Sequence, residues 1–216
     1  MIINIIIAAA LVISYLIGSI NSSILISKAK GSDIRSEGSG NAGATNMLRT
    51  YGKGMGVITL IIDALKGVVA VFAAKGVVAA VPNGGEVFAA LPYMCAAAVV
   101  IGHDFPVFFG FKGGKGVATS LGAVLVLDWR IGLIVLLAAL AVMAITRYVS
   151  LGSIIGAAVY IVAEMLEMAF RGNFNKTAAV CVAILGLMII IRHISNISRL
   201  IKGEENKLGA KKKESE

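Results

Sequence analysis

The sequence has few charged residues, and this scarcity excludes an ordinary soluble domain. Only 15% of its 216 residues are charged, whereas 58% are hydrophobic, and the mean hydropathy is +0.89. Soluble domains carry about a quarter charged residues, because a chain folded in water needs a polar surface. Part of the solvent around this chain must therefore be lipid.

Cysteine is also scarce, and the two cysteines do not indicate a metal site. Cys95 and Cys181 lie inside apolar runs without the spacing of metal ligands, so we expect inert packing residues. The net charge of +8 does not indicate a nucleic-acid partner either. The basic residues lie in short polar segments between apolar runs, as in the cytoplasmic loops of membrane proteins.

Seven apolar runs predict the membrane helices. A transmembrane helix needs about 20 residues to cross the hydrocarbon core. The first run lacks the basic start and cleavage site of a signal peptide, so we expect a retained helix. The run at 117–127 is short, and we expect neighbouring helices or its polar flank to complete the crossing. The runs are Ile2–Ile26, Met55–Val81, Val87–Ile101, Val117–Leu127, Ile131–Ile145, Leu151–Phe170 and Thr177–Ile191.

The distribution of basic residues predicts the orientation. With seven crossings and the N-terminus outside, fifteen Lys and Arg lie on the inner side and only Arg130, Arg171 and Lys176 lie outside. Lys and Arg are enriched in cytoplasmic loops. We therefore predict an all-α polytopic integral membrane protein with about seven transmembrane helices, an outer N-terminus and a cytoplasmic C-terminus. Residues 1–203 would form a single membrane-embedded catalytic domain, and residues 204–216 a charged cytoplasmic tail.

The first polar segment on the predicted cytoplasmic side, Ser36–Arg49, is rich in glycine and short donors. Its glycines, among them Gly43, let backbone N–H groups approach a ligand closely. Arg49 carries a guanidinium suited to a phosphate or a carboxylate. An interfacial loop that caps the next helix would have the same composition, so both interpretations stay open. The short side-chain donors are Ser39, Asn41, Thr45 and Asn46.

The second polar segment, Gly102–Thr119, combines aromatic residues with the sequence Lys112-Gly113-Gly114-Lys115-Gly116. A glycine-lysine loop that opens into a helix N-terminus predicts a phosphate clamp. It is not a nucleotide P-loop, because Phe109 replaces the first glycine of that motif and Gly116 replaces its Ser or Thr. We therefore predict no ATP and no cofactor. An interfacial aromatic belt with snorkelling lysines is the alternative.

Two shorter segments on the same side add polar residues. Ser150 and Ser153 occupy neighbouring positions on a predicted helix. His193, Asn196 and Arg199 share one face if their segment is helical. A lone histidine at a membrane surface is often structural, but three polar residues on one face make a functional role an equal alternative.

Five charged residues lie within predicted spans, and four of them form two close pairs in the sequence. Asp63 and Lys66 are three residues apart, and we expect them to pair with each other rather than with a substrate, because unpaired charges in a membrane are costly. Glu164 and Glu167 lie nearer the outer side, away from the polar segments, and the sequence offers no function for them.

Taken together, these segments resemble the bacterial acyl-phosphate:glycerol-3-phosphate acyltransferases, in the same order and over nearly the whole chain. One departure is Asn21, which stands where many members carry proline. The residues that carry the resemblance are Ser39–Asn46 with Arg49, Gly102-His103, Phe105-Pro106, Phe111–Thr119, His193, Asn196, Arg199, Leu200, Gly203 and Glu205, together with 63–67 and 148–153.

The resemblance implies transfer of an acyl chain from acyl phosphate to the sn-1 hydroxyl of glycerol 3-phosphate, giving lysophosphatidate and phosphate. This is the first acylation of phospholipid biosynthesis, in the bacterial inner membrane with the active site facing the cytoplasm. Acyl-CoA and acyl carrier protein would not be used directly, and an enzyme that produces acyl phosphate would act upstream. The implied catalytic residues are His193, Asn196 and Ser39. The implied substrate-binding residues are Asn41, Gly43, Thr45, Asn46, Arg49, His103, Lys112, Gly113, Gly114, Lys115, Gly116, Ser150, Ser153 and Glu205.

The base that deprotonates the hydroxyl is left open. His193 is one candidate, and a phosphate oxygen of the acyl donor is the other. The sequence shows no carboxylate paired with His193, which favours the second. An organic-phosphate transporter would need polar residues through the bilayer, and a pure scaffold would need no phosphate site. A soluble-type acyl-CoA enzyme would carry Asp five residues after a histidine, where this chain has Phe108 and Ser198.

Overall fold

The computed structural model describes residues 1–81, 85–172 and 174–209. Over these residues the chain is helical and contains no strand, as predicted. Residues 210–216 of the predicted tail lie outside the described residues. The helices are α1 (Ile2–Ser19), α2 (Ser22–Ala29), α3 (Ala44–Ala80), α4 (Gly85–Ala89), α5 (Leu91–Asp104), α6 (Val117–Leu127), α7 (Trp129–Thr146), α8 (Val149–Phe170), α9 (Lys176–Arg192) and α10 (Ile194–Ile201).

The first apolar run forms two helices where the sequence predicts one. The chain is extended at Ile20 and Asn21, and the Asn21 Oδ1 atom accepts hydrogen bonds from the Ile24 amide (3.2 Å) and the Ser23 hydroxyl (2.7 Å). Asparagine is a strong N-cap, because its side chain satisfies a free amide of the first turn. Helix α1 therefore ends and α2 begins within the run.

Helix α3 begins at Ala44, eleven residues before the predicted start at Met55. Gly52 interrupts it with φ +85° and ψ 179°, a conformation that glycine adopts without strain. The residues before Gly52 therefore form a short helical segment that belongs to the first polar loop, and those after it form the apolar span.

Length and hydropathy identify five segments in the described ranges that can cross a membrane, or six if α9 and α10, bent by 51° at their junction, count as one. Helix α6 has 11 residues, or about 16 Å of rise against a hydrocarbon core of about 30 Å. The count of seven spans stays a prediction. The five segments are Ile2–Ala29, Ala44–Ala80, Leu91–Phe109, Trp129–Thr146 and Val149–Phe170.

Paired glycines bring the helices into close contact. A Cβ atom on Gly18 of α1 would lie 2.0 Å from the Val99 carbonyl oxygen of α5, and one on Gly102 would lie 2.1 Å from the Tyr15 carbonyl oxygen. Small residues at helix crossings are typical of membrane proteins, where packing drives association. The crossing fixes the end of α5, from which the glycine-lysine loop departs.

A second glycine pair joins α3 to α6. A Cβ atom on Gly67 would lie 2.1 Å from the Thr119 carbonyl oxygen, and one on Gly122 would lie 2.0 Å from the Ala64 carbonyl oxygen. This crossing holds the start of the short α6 against the long α3. The two crossings together fix both ends of the loop between α5 and α6.

Candidate active site

The glycine-lysine loop folds back on the end of α5. The Gly113 amide donates to the Asp104 carbonyl (3.1 Å), and the Gly114 amide donates to the His103 carbonyl (3.2 Å). A Cβ atom on Gly113 would lie 2.1 Å from the His103 carbonyl oxygen. Only glycine fits such a close approach. The fold-back brings Lys115, with a half-buried side chain, to the start of α6.

A chain of polar contacts connects this loop to α8 and to the segment after α10. The Lys115 ammonium donates to Asn196 Oδ1. The Asn196 amide nitrogen donates to Glu205 Oε1 (2.7 Å), which also accepts from the Ser150 hydroxyl (2.9 Å). Arg199 Nε lies 2.7 Å from Glu205 Oε2. The contacts bring together four of the predicted site residues, Lys115, Asn196, Ser150 and Glu205, with Arg199.

Burial and hydrogen bonding shift the pKa values of Lys115 and Glu205 in this series of polar contacts. Burial, reinforced by the positive charge of Arg199, lowers the pKa of Lys115 to about 8. Burial raises the pKa of Glu205. The hydrogen bonds from Asn196, Arg199 and Ser150 outweigh this effect, so the pKa of the carboxyl is lowered overall. An anionic ligand would stabilise the charged form of a lysine whose pKa lies this near neutrality. The arrangement therefore suits a phosphate next to Lys115.

His193 is buried at the junction of α9 and α10. Its Nδ1 atom lies 2.7 Å from the Ile189 carbonyl oxygen. A carbonyl only accepts, so Nδ1 carries the hydrogen and the neutral ring keeps a lone pair on Nε2. The orienting partner is a backbone carbonyl, in agreement with the sequence, which offers no paired carboxylate.

The first polar segment is braced by Asn46. Its Oδ1 atom accepts from the Ser39 amide (2.9 Å), and its nitrogen donates to the carbonyls of Ile34 (3.1 Å) and Glu37 (2.9 Å). This buried amide is committed to its own loop, so Asn46 shapes the segment rather than offering a free group. Its substrate-binding role stays a prediction.

The remaining predicted residues of this segment are more accessible. Ser39 and Arg49 are exposed, and Asn41 and Thr45 are half-buried. Arg49 reaches across to the Asn206 carbonyl at 3.5 Å. Gly43 is the N-cap of α3, and a Cβ atom there would lie 2.9 Å from Asn41 Nδ2.

Four helices begin at this end of the molecule without a side-chain cap. They are α3, α6, α8 and α10, whose N-cap residues are Gly43, Gly116, Tyr148 and His193. At the opposite end, α7 and α9 are capped by Asp128 and Asn175, whereas α1 and α5 have no side-chain cap. Uncapped first turns leave amide donors free, and the helix dipole favours an anion there.

Sequence reasoning missed Arg192 and Asp104. The Arg192 guanidinium donates to the Gly114 carbonyl from Nε (3.1 Å) and from a terminal nitrogen (2.7 Å), and it stacks on Phe105 at 5.1 Å. Its Nε atom lies 3.8 Å from Asp104 Oδ2. In the sequence Arg192 is only one more basic residue near the membrane, because its partner Gly114 is 78 positions away.

Arg35 is a third residue that sequence reasoning did not single out. It donates to the Phe109 carbonyl (2.8 Å) and the Lys112 carbonyl (3.3 Å), which ties the first polar segment to the second. Hydrogen bonds from Arg35 lower the pKa of Asp33 to about 2. Lys112 itself has an exposed side chain, unlike Lys115.

The predicted pair of Asp63 and Lys66 is confirmed at 3.1 Å, and both residues are buried. The pair has further partners that the sequence did not indicate. The Lys66 ammonium lies 2.7 Å from His103 Nδ1, and the Ser22 hydroxyl donates to Asp63 Oδ1 at 2.9 Å. His103, predicted to bind substrate, is therefore buried between this pair and the glycine-lysine loop.

Three other residues lie apart from these contacts. The Ser153 hydroxyl donates to the Val149 carbonyl of its own helix (2.9 Å). Glu164 is buried and accepts from the Tyr93 hydroxyl (2.6 Å). Glu167 pairs with Arg130 (3.0 Å) and with Arg171 (2.6 Å) at the opposite end of the molecule.

Comparison with known proteins places the chain among glycerol-3-phosphate acyltransferases. The family model described as "Glycerol-3-phosphate acyltransferase" matches residues 8–203. A glycerol-3-phosphate acyltransferase of Clostridioides difficile (strain 630) is 43% identical over 206 residues, covering 93% of this chain and 95% of that protein. One of Thermotoga petrophila is also 43% identical, covering 91% and 94%.

Two solved structures have the same fold. Both are of PlsY (YgiH), an integral membrane glycerol 3-phosphate acyltransferase, at 37% sequence identity. Its glycerol 3-phosphate form has a TM-score of 0.82 and covers 94% of this chain and 96% of that chain. Its lysophosphatidic acid form has a TM-score of 0.78 and covers 94% and 95%.

Proposed function

Because the chain belongs to the glycerol-3-phosphate acyltransferase family, we propose that it transfers an acyl chain from acyl phosphate to the sn-1 hydroxyl of glycerol 3-phosphate. The products are lysophosphatidate and inorganic phosphate. The observation that carries this proposal is the contact of Lys115 with Asn196 among four uncapped helix N-termini. This arrangement offers charge and free amides to anionic groups.

Two phosphate-bearing substrates explain the number of cations around the site. Lys115 and Arg49 come from different segments, so one can contact the phosphate of glycerol 3-phosphate and the other that of the acyl donor. PlsY, 37% identical, is described in a glycerol 3-phosphate form and a lysophosphatidic acid form. Both ligands are phosphate monoesters, which suits the same cations and amides in this chain.

The reaction needs no covalent enzyme intermediate, because inorganic phosphate is a good leaving group. The sn-1 oxygen attacks the carbonyl carbon of acyl phosphate, the bond from that carbon to the phosphate oxygen breaks, and the hydroxyl proton leaves with the phosphate. Ser39 and Asn196 hold the acyl phosphate, and the free amides stabilise the developing oxyanion. His193 Nε2 is the alternative proton acceptor, because Nδ1 is occupied by the Ile189 carbonyl.

We place the site on the cytoplasmic face of the bacterial inner membrane. The polar segments meet at one end of the helices, which is also the end with the excess of Lys and Arg. A transporter would need polar residues through the bilayer, whereas these contacts lie at one end. Acyl phosphate would be produced upstream by another enzyme, and the product would enter phospholipid biosynthesis.

The decisive experiment supplies each acyl donor separately. The purified protein in lipidic medium receives glycerol 3-phosphate with palmitoyl phosphate, palmitoyl-CoA or palmitoyl-acyl carrier protein, and lysophosphatidate is measured. We expect product only with palmitoyl phosphate. A Lys115→Met variant, checked by gel filtration, is the control for the site. Product with palmitoyl-CoA alone would replace acyl phosphate as the donor while keeping glycerol 3-phosphate as the acceptor.

A further inference from the structure

The chain has two histidines, and the structure gives their Nδ1 atoms opposite kinds of partner. His193 Nδ1 faces the carbonyl oxygen of Ile189. His103 Nδ1 faces the ammonium of Lys66. A carbonyl can only accept a hydrogen bond and an ammonium can only donate one. The two rings therefore hold their hydrogen on different nitrogens.

The surroundings of Lys66 keep its amine protonated. The Lys66 Nζ atom lies 3.1 Å from Asp63 Oδ1 and 3.2 Å from the carbonyl oxygens of Gly18 and Ile20. Together with His103 Nδ1, these acceptors share the three hydrogens of an ammonium, and the side chain is buried, so a deprotonated amine would leave still more acceptors unsatisfied. The same ammonium makes a second proton on His103 Nδ1 unfavourable.

The groups that face the His103 ring come from several elements. Lys66 and Asp63 belong to α3, with Asp63 Oδ1 3.7 Å from His103 Nδ1. Arg192 of α9 reaches the neighbouring Gly114 carbonyl. Lys66 is the nearest of these groups to Nδ1, and it is a cation. His103 is therefore neutral, with its hydrogen on Nε2.

His103 Nε2 faces the place where the first polar segment meets the glycine-lysine loop. A Cβ atom on Gly114 would lie 2.2 Å from His103 Nε2 and 2.6 Å from the Ala42 carbonyl oxygen. The Gly114 amide also donates to the His103 carbonyl (3.2 Å). The ring thus packs against Gly114, the glycine that precedes Lys115, and its Nε2–H faces the contact between these two segments.

We infer that Lys66 is a positioning residue, which fixes the His103 ring in its Nε2–H form, and that the ring, packed against Gly114, holds the glycine-lysine loop in the geometry that places Lys115. Asp63 holds Lys66 in turn. This inference rests on the proposed function for its kinetic consequence, but the tautomer of His103 is a property of the protein alone. The ring measurement therefore stands even if the acyl donor proves to be another one.

The first test is nitrogen NMR on protein labelled with ¹⁵N only in histidine and purified with a histidine-free tag. His193→Gln assigns the two ring systems. We expect Nε2–H for His103 and Nδ1–H for His193 in the neutral range. A His103 ring with its hydrogen on Nδ1, or with two hydrogens, would overturn the inference.

The second test is kinetic and uses glycerol 3-phosphate with the donor that supports wild-type activity. Replacing both charges, Asp63→Leu with Lys66→Met, avoids an isolated buried charge. We expect kcat/KM to fall by up to about 100-fold, the cost of misplacing a binding loop by about 1 Å, mostly through KM. In the same variant the His103 ring should lose its single tautomer.

A matched control and a double-variant comparison distinguish positioning from general destabilisation. Lys75 lies on the same helix and donates to the Leu127 carbonyl (3.1 Å) at the far end of α6, so Lys75→Met should keep wild-type kcat/KM. Adding His103→Phe to the Asp63/Lys66 variant should cost nothing beyond His103→Phe alone, because Lys66 acts through His103. Fully additive losses would refute the positioning role.

Discussion

Lys115 donates to the Oδ1 atom of Asn196, and this contact joins residues that are 81 positions apart in the sequence. Asn196 in turn donates to Glu205, so the orientation of its amide is determined from both sides. The amide nitrogen must face the carboxylate and the oxygen must face the ammonium. A substrate phosphate that approached Lys115, as proposed, would meet a cation whose position is fixed and whose remaining donors have no hydrogen-bond partner among the described residues.

The lysine prediction contrasts two residues of one loop. Lys115 is half-buried and contacts Asn196, whereas Lys112 is exposed. Lys115→Ala removes a charge-assisted phosphate contact of about 1.5–3 kcal/mol, or about 10- to 100-fold in kcat/KM. Lys112→Ala should also weaken substrate use, but less. Steady-state kinetics on both variants test this, and wild-type values for both would leave the loop as an interfacial anchor.

The pH dependence gives Lys115 a separate signature. Its pKa is lowered to about 8, chiefly by burial, so the ammonium is present below pH 8 and is lost as the pH rises through that value. Because the proposed function needs the charged form to bind phosphate, kcat/KM should decline above about pH 8. Lys115→Arg keeps its charge throughout this range, and its residual activity should not decline there. An alkaline decline that persists in Lys115→Arg would assign the titration to another group.

The glutamate prediction concerns the boundary between domain and tail. Glu205 accepts from Ser150, Asn196 and Arg199, so it orients the amide that meets Lys115. Glu205→Ala should lower kcat/KM by about 10- to 100-fold, the equivalent of one charged hydrogen bond. The exposed neighbour Glu204 provides the control, since Glu204→Ala should behave as wild type.

Truncation tests the same point without a point substitution. Ending the chain after Gly209 keeps Glu205 and should preserve activity, whereas ending it after Gly203 should reproduce the loss of Glu205→Ala. The pKa of Glu205 is lowered despite burial, because Asn196, Arg199 and Ser150 donate to it. Its carboxylate therefore stabilises the fold above the unfolded pKa, and this stabilisation is lost as the pH falls through the folded pKa. Equal activity of the two truncated chains would exclude Glu205 from the site.

Sequence patterns predicted the helices well, because hydropathy along a run is a local property. Helix α6 coincides with the predicted run at 117–127, and the ends of α7, α8 and α9 lie within two residues of prediction. The break at Asn21 was missed, since Asn21 and the serines beside it in the run Ile2–Ile26 signal a cap only when the partners of the Asn21 side chain are known.

The site was harder to predict, because its contacts join distant segments. The resemblance supplied Glu205, whereas composition alone made it part of a solvated tail. Arg192 was counted as a charge near the membrane, yet its guanidinium holds the Gly114 carbonyl 78 positions away. Asn46 looked like a free donor, and the structure commits its amide to the backbone of Ile34, Glu37 and Ser39. Which donors remain free depends on tertiary contacts.

The glycine prediction tests the crossing of α3 and α6. A Cβ atom on Gly122 would lie 2.0 Å from the Ala64 carbonyl oxygen, so Gly122→Ala must push the helices apart. We expect a loss of about 1–3 kcal/mol in stability, as for overpacked cores. Gly76→Ala on α3 meets open space and should be neutral or stabilising by up to about 1 kcal/mol. Thermal unfolding in detergent compares them, and equal midpoints would refute the close crossing.

The topology prediction uses exposed positions in a Cys95→Ala/Cys181→Ala background. Lys30→Cys and Lys202→Cys lie on the proposed cytoplasmic side, and Trp129→Cys lies at the start of α7 on the proposed outer side. A membrane-impermeant thiol reagent applied to intact cells should label only Trp129→Cys. Opening the cells should expose the other two. Labelling of Lys30→Cys and Lys202→Cys from opposite faces would contradict a seven-span arrangement.

The last prediction concerns the proton acceptor. His193 Nε2 has a free lone pair, because Nδ1 donates to the Ile189 carbonyl, so its tautomer is suitable for a base. We nevertheless expect a phosphate oxygen of the acyl donor to take the proton, since a backbone carbonyl stabilises a charged imidazole less than a carboxylate would. His193→Gln should then mainly raise KM, because only positioning is lost. If His193 were the base, the same variant would lose about 10²–10⁴ in kcat. In folded protein, that loss at unchanged KM, with disappearance of the acidic limb of the pH–rate profile, would identify His193 as the base.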